Sequence, residues 1–346
     1  MAFAQANKPG ARVVVLGGGN GSSHLLHALA PLLDKGEIAS LHGLVQMADD
    51  GGSTGRLRQQ YQVGAMGDLT RCLLALSPLQ NDIRGRKFIK ALEYRFSGGD
   101  FEGHTLRNAL LTAMELTSDL DAAIATFARV LQIPKYSGVI PTTLQAVTQQ
   151  VVATNGDVIA EGEHFIAHNV DLQITTLYKP GEARVKFKED ILLNPRAQQA
   201  LEQATHIIVA PGHTYGTILP VLASLQIDSS FQMKNTKGKL CVVMTLLTTP
   251  KHTTGWTGED FIRVYESYLD RTVDTVIANT GSIDIKLEKD QEWVRFTEKK
   301  HPYTLIEDAV VNTETSKTVR GDVVPRAIVV HSDEKLRTLL RPILRS

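Results

Sequence analysis

The sequence has little cysteine and no long apolar run. Its two cysteines, Cys72 and Cys241, lie far apart in apolar segments, which favours buried thiols in a reducing compartment over a disulfide. No stretch reaches the ~18 consecutive apolar residues of a membrane span. Residues 1–9 are polar and lack the apolar core of a signal peptide. We therefore expect a cytoplasmic protein without membrane insertion.

The chain also lacks an excess charge and several familiar catalytic motifs. Its 37 Lys and Arg residues balance 37 Asp and Glu residues, so the electrostatic footprint of a nucleic-acid-binding protein is missing. No P-loop lysine and no His/Cys metal cluster is visible. A hydrophobic content of 42% over 346 residues suffices for one large α/β domain or two smaller ones.

What is present begins with a glycine cluster between a strand and a helix. Residues 13–16 form an apolar run, glycines occupy positions 17–19 and 21, and leucines then recur at helical spacing. Such a turn admits phosphate oxygens to the backbone, and the helix N-terminus supplies free N–H groups. Gly17 and Gly19 fit the dinucleotide fingerprint, but Ser22 stands at its third glycine. A phosphorylated ligand is the first hypothesis; the alternative is a turn that only lets the helix pack closely.

Strands and helices alternate along most of the chain. This alternation predicts an α/β fold with a Rossmann-like, doubly wound, mainly parallel sheet. The predicted strands are 13–16, 41–47, 206–210, 240–244, 273–278 and 327–330. The predicted helices are 68–77, 86–96, 105–117, 120–131, 215–225, 259–269 and 333–343.

The middle of the chain changes character. Residues 144–153 and 158–166 alternate apolar and polar side chains across Asn-Gly-Asp, which predicts a hairpin, and 172–178 with 183–187 suggest a second strand pair. We therefore predict a single domain, an inserted antiparallel β excursion and two less regular parts. Their boundaries are 11–346 for the domain, 144–190 for the excursion, 1–10 for a disordered N-terminal tail and 284–322 for a divergent surface segment.

The loop after the second strand carries charge and glycine. Asp49 and Asp50 could accept hydrogen bonds from ribose or hold Mg²⁺, and Arg56 could bind phosphate. Gly51 and Gly52 would allow a close backbone approach. The alternative is an ordinary Asp-Gly turn with solvated charges.

Three further loops open helices in the same way. Asp68 either caps its helix or faces the ligand with Arg71. His104 and Asn108 share one helix face, although a lone histidine is more often a structural hydrogen-bonding group. Residues 210–216 repeat the strand, glycine and helix pattern on the far side of the sheet.

Taken in order, these loops resemble the family that contains the bacterial gluconeogenesis factors (YvcK-like proteins) and 2-phospho-L-lactate transferase (CofD). The resemblance covers roughly residues 11–280, and its most specific element is Ala-Asp-Asp-Gly-Gly-Ser-Thr-Gly-Arg-Leu-Arg. The matching stretches are residues 17–21, 48–58, 67–73, 103–108, 140–144, 211–220 and 243–245. The pattern of residues 55–58 and 103–108 is nearer the gluconeogenesis-factor branch.

The resemblance implies a Rossmann-like fold with a ligand cleft at these loops. One branch would bind UDP-sugars in connection with carbon metabolism and cell shape; the other transfers phospholactate from a guanylated donor with Mg²⁺. The implied ligand-binding residues are Gly17, Gly18, Gly19, Asn20, Gly21, Asp49, Asp50, Gly51, Gly52, Ser53, Arg56, Asp68, Arg71, His104, Asn108, Pro211, Gly212, His213 and Tyr215. Asp49 and Asp50 are the candidate metal ligands, and the candidate catalytic residues of a transferase.

The chain departs from the family pattern in loops that would select the ligand. Pro-Gly-His-Thr-Tyr-Gly-Thr at 211–217 replaces Pro-Gly-Ser-Leu-Tyr-Thr-Ser, and Met-Thr-Leu-Leu-Thr-Thr-Pro at 244–250 replaces Met-Thr-Gln-Pro-Gly-Glu-Thr. The first hypothesis is a UDP-sugar-binding regulator, and the second is a Mg²⁺-dependent transferase. A nicotinamide-dependent oxidoreductase has only the partial glycine fingerprint in its favour. The expected partner is a nucleotide-sugar or another phosphorylated small molecule, and a homo-oligomer is compatible with the sequence.

Overall fold

The computed structural model describes residues 10–169, 172–227, 231–312 and 329–345. Its strands form one large and one small sheet. They are β1 (Ala11–Gly17), β2 (Ile38–Val45), β3 (Ser137–Pro141), β4 (Gln149–Val152), β5 (Val158–Glu161), β6 (Arg184–Phe187), β7 (His206–Val209), β8 (Lys239–Val243), β9 (Thr275–Asn279) and β10 (Thr304–Asp308).

Twelve α-helices are present among the described residues, together with a π-helical turn at Thr214–Ile218. They are α1 (Gly19–Asp34), α2 (Gly52–Tyr61), α3 (Met66–Ala75), α4 (Ile83–Leu92), α5 (Leu106–Leu116), α6 (Leu120–Val130), α7 (Glu163–His168), α8 (Ile174–Leu177), α9 (Pro195–Gln203), α10 (Leu219–Ser224), α11 (Gly258–Leu269) and α12 (Asp333–Ile343). Within the described ranges, none of the helices has both the length and the apolar composition needed to cross a membrane.

The large sheet has seven parallel strands in the order β10-β9-β8-β7-β1-β2-β3. Its central strands are apolar on both faces because helices cover both sides. One core lies against α1, α3 and α6, and the opposite core lies against α9, α10 and α11. This confirms the predicted doubly wound α/β fold. The strand order reverses between β1 and β7, so a ligand crevice is expected beyond the carboxyl ends of these two strands.

The small sheet has the order β5-β4-β6 and is antiparallel. The hairpin predicted across residues 155–157 is confirmed as β4 and β5. The second predicted strand pair is wrong: residues 174–177 form the short helix α8, and β6 pairs with β4. The N–H and hydroxyl of Thr175 donate to the carbonyl of Lys251, so tertiary contacts hold this segment in a turn.

Several boundaries differ from the predictions. The strand predicted at 327–330 is not found at Val329 and Val330, where the neighbouring contact is an isolated antiparallel bridge between Val311 and His331. Residues 327–328, 313–322 of the predicted surface segment and 1–9 of the predicted tail lie outside the described residues. Strand β10 lies in the described part of that surface segment and extends the sheet beside β9.

The C-terminal helix α12 docks on α1 through a carboxylate between two histidines. Asp333 lies 3.2 Å from Nδ1 of His24 and 2.7 Å from Nδ1 of His27. Burial opposes ionisation of Asp333, but the hydrogen bonds from both histidines outweigh it and hold the pKa of Asp333 well below its usual range. The ionised carboxylate therefore stabilises the fold above its ordinary pKa of about 4, and this contribution is lost as pH falls further.

We expect Asp333→Asn to lower the free energy of unfolding by about 1 kcal/mol at pH 7, because both histidines are partly exposed and solvent weakens the interaction. The difference from the parent should shrink as the pH falls below about 4, where the carboxyl of the unfolded chain takes up its proton. Urea denaturation at pH 7 and at pH 3 measures it. The matched control is Glu334→Gln, which removes a neighbouring exposed charge from the same first turn. Equal losses in the two variants would show that only the helix dipole is involved.

Candidate functional site

A cleft of about 490 Å³ opens at the carboxyl edge of the large sheet. The loops after β1, β2, β7 and β8 form its base, and α7 of the inserted segment forms one wall. Its lining residues are Gly18, Gly19, Asn20, Gly21, His24, Asp49, Gly51, Gly52, Ser53, Thr54, Gly67, Asp68, Arg71, Arg95, Arg107, Asn108, Glu163, His164, Ala167, His168, Pro211, Gly212, His213, Thr217, Thr245, Leu246, Leu247, Thr248, Thr249, Gln291, Val329, Val330 and His331. The cleft lies at the crevice expected from the strand order.

The N-terminus of α1 points into the cleft without a side-chain cap. Its N-cap is Gly18, and the first turn carries no acidic side chain. Gly19 has a φ of +60°, a conformation that glycine adopts without strain. The first-turn N–H groups and the positive end of the helix dipole are therefore available to an anion.

A second uncapped N-terminus belongs to α2, which the sequence did not predict as a helix. Its N-cap is Gly51, and Gly52 has a φ of +47° with no heavy atom within 4 Å of where a Cβ would lie. The carboxylate of Asp49 accepts a hydrogen bond from the Gly51 N–H at 3.0 Å. Two glycine-rich helix starts thus line one cleft.

Two carboxylates lie against glycines at the starts of α1 and α3. Asp68 lies beside Gly18, and a Cβ added to Gly18 would be 2.6 Å from Oδ2 of Asp68. Asp49 lies beside Gly67, and a Cβ added to Gly67 would be 2.8 Å from Oδ2 of Asp49. Burial, and then the charge of Asp68, raise the pKa of Asp49 to about 6. Such a pair of repelling carboxylates favours a cation between or near them.

One of the two roles predicted for Asp68, capping α3, is wrong. The N-cap is Ala65, and Asp68 lies inside the first turn with its side chain in the cleft. Its Oδ1 accepts a hydrogen bond from Nη1 of Arg71 at 3.2 Å. The loop leading into α3 turns the carboxylate toward α1 instead of toward its own N–H groups.

Glu163 of α7 adds a third acidic group on the cleft wall. Burial, and then the charge of Asp49, raise the pKa of Glu163 well above its usual range. Its neighbour His164 donates its backbone N–H to Asp50 at 2.7 Å, which fixes α7 to the loop after β2. No group of three or more His, Cys, Asp or Glu side chains suited to holding a metal is found in the described part of the chain.

A buried polar network lies directly behind α2. The hydroxyl of Ser53 is 2.9 Å from Nδ1 of His104, and Nδ2 of Asn108 donates to the Ser53 oxygen at 3.2 Å. The hydroxyl of Thr70 lies 2.9 Å from Oδ1 of Asn108. These contacts join α2, α3 and the start of α5 around one hydroxyl group.

His213 is held as a neutral ring at the loop after β7. Its Nδ1 accepts the Gly216 N–H at 2.8 Å, and its Nε2 lies 3.4 Å from Nδ1 of His252. Burial, and then the neighbouring His252, lower the pKa of His213 to about 3. At neutral pH it can offer a ligand a polar contact but no positive charge.

Most of the predicted site residues line the cleft, and five do not. Those in the lining are Gly18, Gly19, Asn20, Gly21, Asp49, Gly51, Gly52, Ser53, Asp68, Arg71, Asn108, Pro211, Gly212 and His213. The five outside it are Gly17, Asp50, Arg56, His104 and Tyr215.

Four of these five residues have a hydrogen-bond partner in the fold, and Gly17 is the last residue of β1. Asp50 is bound to the start of α7. Arg56 donates to the carbonyl of Glu102, while His104 contacts Ser53 from behind. The hydroxyl of the fully buried Tyr215 faces the carbonyl of Ala183 at 3.4 Å.

Sequence reasoning missed one wall of the cleft entirely. Glu163, His164 and His168 belong to residues that were predicted as part of a β-hairpin excursion. Residues 245–249 follow β8 and also line the cleft. The position of residues 245–249 after a predicted parallel strand was a usable signal, whereas nothing in the local pattern indicates that α7 reaches the cleft.

Comparison with known proteins identifies the family. Residues 13–324 match the family described as 2-phospho-L-lactate transferase CofD. The gluconeogenesis factor of Listeria monocytogenes is 30% identical over 280 residues, which cover 80% of each chain. A "Putative gluconeogenesis factor" of Aquifex aeolicus is 32% identical over 295 residues, or 81% of this chain and 83% of that protein.

Two further comparisons bear on length and fold. A relative from Nostoc with the same name is 32% identical over 310 residues, but these cover 61% of its length, so the present chain spans less than two thirds of that protein. A crystal structure of a UPF0052-family protein from Bacillus halodurans superposes with a TM-score of 0.76 over 95% of this chain and 98% of that one, at 24% identity, and shows the same fold. The chain belongs to the CofD family, among relatives named gluconeogenesis factor.

Proposed function

We propose that this protein binds a nucleoside-diphosphate sugar, of which a UDP-sugar is the first choice, and acts as a cytoplasmic regulator of carbon metabolism and cell shape. The observation that carries the proposal is the meeting of two uncapped, glycine-rich helix N-termini, those of α1 and α2, in one cleft. The relatives' names, which read gluconeogenesis factor, support the link to carbon metabolism.

The diphosphate is the part of such a ligand that this geometry favours. The first-turn amides of α1 provide N–H donors, and the dipoles of both helices favour negative charge. Arg71 lies within the same lining and contributes a guanidinium that can bind phosphate through two parallel hydrogen bonds. The cleft of about 490 Å³ is in the size range of small-molecule sites.

The paired carboxylates imply that a divalent cation accompanies the diphosphate. Asp49 and Asp68 would otherwise repel a bound anion, and hard oxygen ligands are those that Mg²⁺ prefers. The two aspartates would supply protein ligands while phosphate oxygens and water complete the shell. When bound, Mg²⁺ would neutralise phosphate charge and so reconcile an acidic pair with an anionic ligand.

The same observation favours a second candidate function. Mg²⁺-dependent transfer of a phosphoacid from a nucleoside-diphosphate donor needs carboxylates at the diphosphate, and the Asp49 and Asp68 pair provides them. In that case Arg71 would hold the transferred phosphate, and Glu163, whose pKa is raised, would be suited to carry a proton on the cleft wall.

We expect calorimetric titration with UDP-N-acetylglucosamine and Mg²⁺ to show saturable binding at micromolar affinity or better. Chelation of Mg²⁺ should weaken it at least tenfold, since the carboxylate pair then faces the diphosphate directly. Chromatography of the mixture then shows whether a product has formed, and binding without product supports the regulator. Absence of heat with this ligand, together with turnover of a guanylated phospholactate donor, would overturn the proposed UDP-sugar-binding regulator in favour of the transferase.

A further inference from the structure

We propose that Ser53 is a nucleophile activated by His104, and that it attacks a phosphoryl group of the ligand held in the cleft. The activity is a covalent phosphoryl transfer to serine, which goes beyond binding and beyond a direct transfer between two substrates. Its substrate, a nucleoside diphosphate, rests on the proposed function. The reactivity of the hydroxyl itself does not.

The contacts around Ser53 orient its proton. Asn108 donates through Nδ2 to the serine oxygen, while its Oδ1 faces the hydroxyl of Thr70, which also faces the carbonyls of Met66 and Gly67. The serine proton is then directed to Nδ1 of His104 at 2.9 Å. A nucleophile, a base within hydrogen-bond reach and a third group that orients them are the elements of activated serine sites.

The surroundings keep His104 in the form that accepts a proton. Burial lowers the pKa of His104, and the guanidinium groups of Arg56 on α2 and Arg95 on the neighbouring loop lower it further. The imidazole is therefore neutral at pH 7. Both Ser53 and His104 are 7% exposed, so bulk water does not compete for the hydrogen bond between them.

The position of Ser53 on α2 favours the attack. It is the second residue of a helix without a side-chain cap, so the positive end of the helix dipole favours negative charge near its oxygen. Ser53 lines the cleft, whereas His104 does not and reaches the ligand only through the serine. A phosphate bound at α1 would occupy the same cavity.

The chemical step is balanced without an additional reagent. The Ser53 oxygen forms a bond to phosphorus, and the phosphorus bond to the leaving oxygen breaks. His104 takes the serine proton at Nδ1, and the leaving oxygen departs as a phosphate anion. Water then attacks the phosphoserine: its hydroxyl stays on the released phosphate or phosphate monoester, its other proton goes to solvent, and the departing Ser53 oxygen takes back the proton held by His104.

Diisopropyl fluorophosphate tests the reactivity of Ser53 without any nucleotide. The serine oxygen displaces fluoride, and the label is located by mass spectrometry of peptides. We expect Ser53 to be labelled in the full-length protein and His104→Gln to slow the labelling about 100-fold, the usual contribution of a general base. The control Ser118→Ala, which removes an exposed hydroxyl bonded to the Met114 carbonyl, should leave the rate unchanged.

The pH profile of the unsubstituted protein gives a second readout. Labelling assisted by a neutral histidine is constant from pH 7 to 9 and falls only below the lowered pKa of His104. Labelling of an unassisted serine instead rises about tenfold per pH unit, because it needs the alkoxide. Absence of label on Ser53, a tenfold rise per unit, or equal rates with and without His104 would each overturn the proposal. Failure of UDP-sugar binding with intact labelling would overturn only the assignment of the substrate.

Discussion

Replacement of Gly21 by alanine is expected to abolish ligand binding while the sheet remains folded. A Cβ at this position would overlap the carbonyl oxygen of Pro211, which is backbone and cannot rotate away. The first turn of α1 must then move away from the loop after β7. Because this turn and this loop both line the cleft, the movement disturbs the ligand site. We expect calorimetry to show at least a hundredfold loss of affinity. We also expect the free energy of unfolding to fall by about 1–3 kcal/mol, which is the usual cost of overpacking.

The control is Gly138→Ala on β3, where a Cβ would meet no heavy atom within 4 Å. It should leave affinity and stability unchanged. If Gly21→Ala binds UDP-N-acetylglucosamine as tightly as the parent, the diphosphate does not lie at the junction of α1 and the Pro211 loop.

Replacement of Asp49 by asparagine is expected to remove the effect of Mg²⁺ on ligand binding. The asparagine oxygen can still accept from the Gly51 N–H, so the turn into α2 should persist. In Mg²⁺ we expect affinity to fall at least tenfold, because one of two anionic cation ligands is gone. In chelator we expect affinity equal to or above that of the parent, because a charge that repels phosphate is also gone.

The adjacent residue provides a matched control. Asp50→Asn also removes one carboxylate, but the Asp50 side chain accepts from the backbone of His164 and lies outside the cleft lining. Its Mg²⁺ dependence should equal that of the parent. Loss of the Mg²⁺ effect in Asp50→Asn and its retention in Asp49→Asn would reverse the assignment of the cation ligand.

The parallel sheet and its glycine loops could be predicted because their signals are local. The apolar run of β1 and the glycines that follow are consecutive residues, and alternation with helices implies parallel strands. The carboxyl ends of parallel strands meet at one edge, so the loops could also be expected to share a cleft. Short elements such as β3, α9 and β10 were missed because a few residues cannot establish a period.

The pairings inside the site could not be predicted, since they depend on side-chain directions across the fold. Two adjacent aspartates follow β2, and the sequence cannot show that Asp49 faces the cleft while Asp50 faces α7. Residues 51–55 match the letters of the Gly-x-Ser-x-Gly pattern at Ser53. Those letters cannot show that His104, 51 positions further on and just before α5, lies against this serine.

The position of β1 between β2 and β7 has a consequence for how the protein folds. β1 pairs with β2 after one short crossover, but its contacts with the β7 edge join residues 193 positions apart, as between Arg12 and Thr205. Closing so large a loop is slow, and topologies with distant pairings fold slowly. The cleft lies across this junction, so it is completed only when the two halves of the chain have joined. Recovery of ligand binding during refolding therefore reports the last step of assembly, and a nascent chain that has not yet emerged beyond β7 has no cleft.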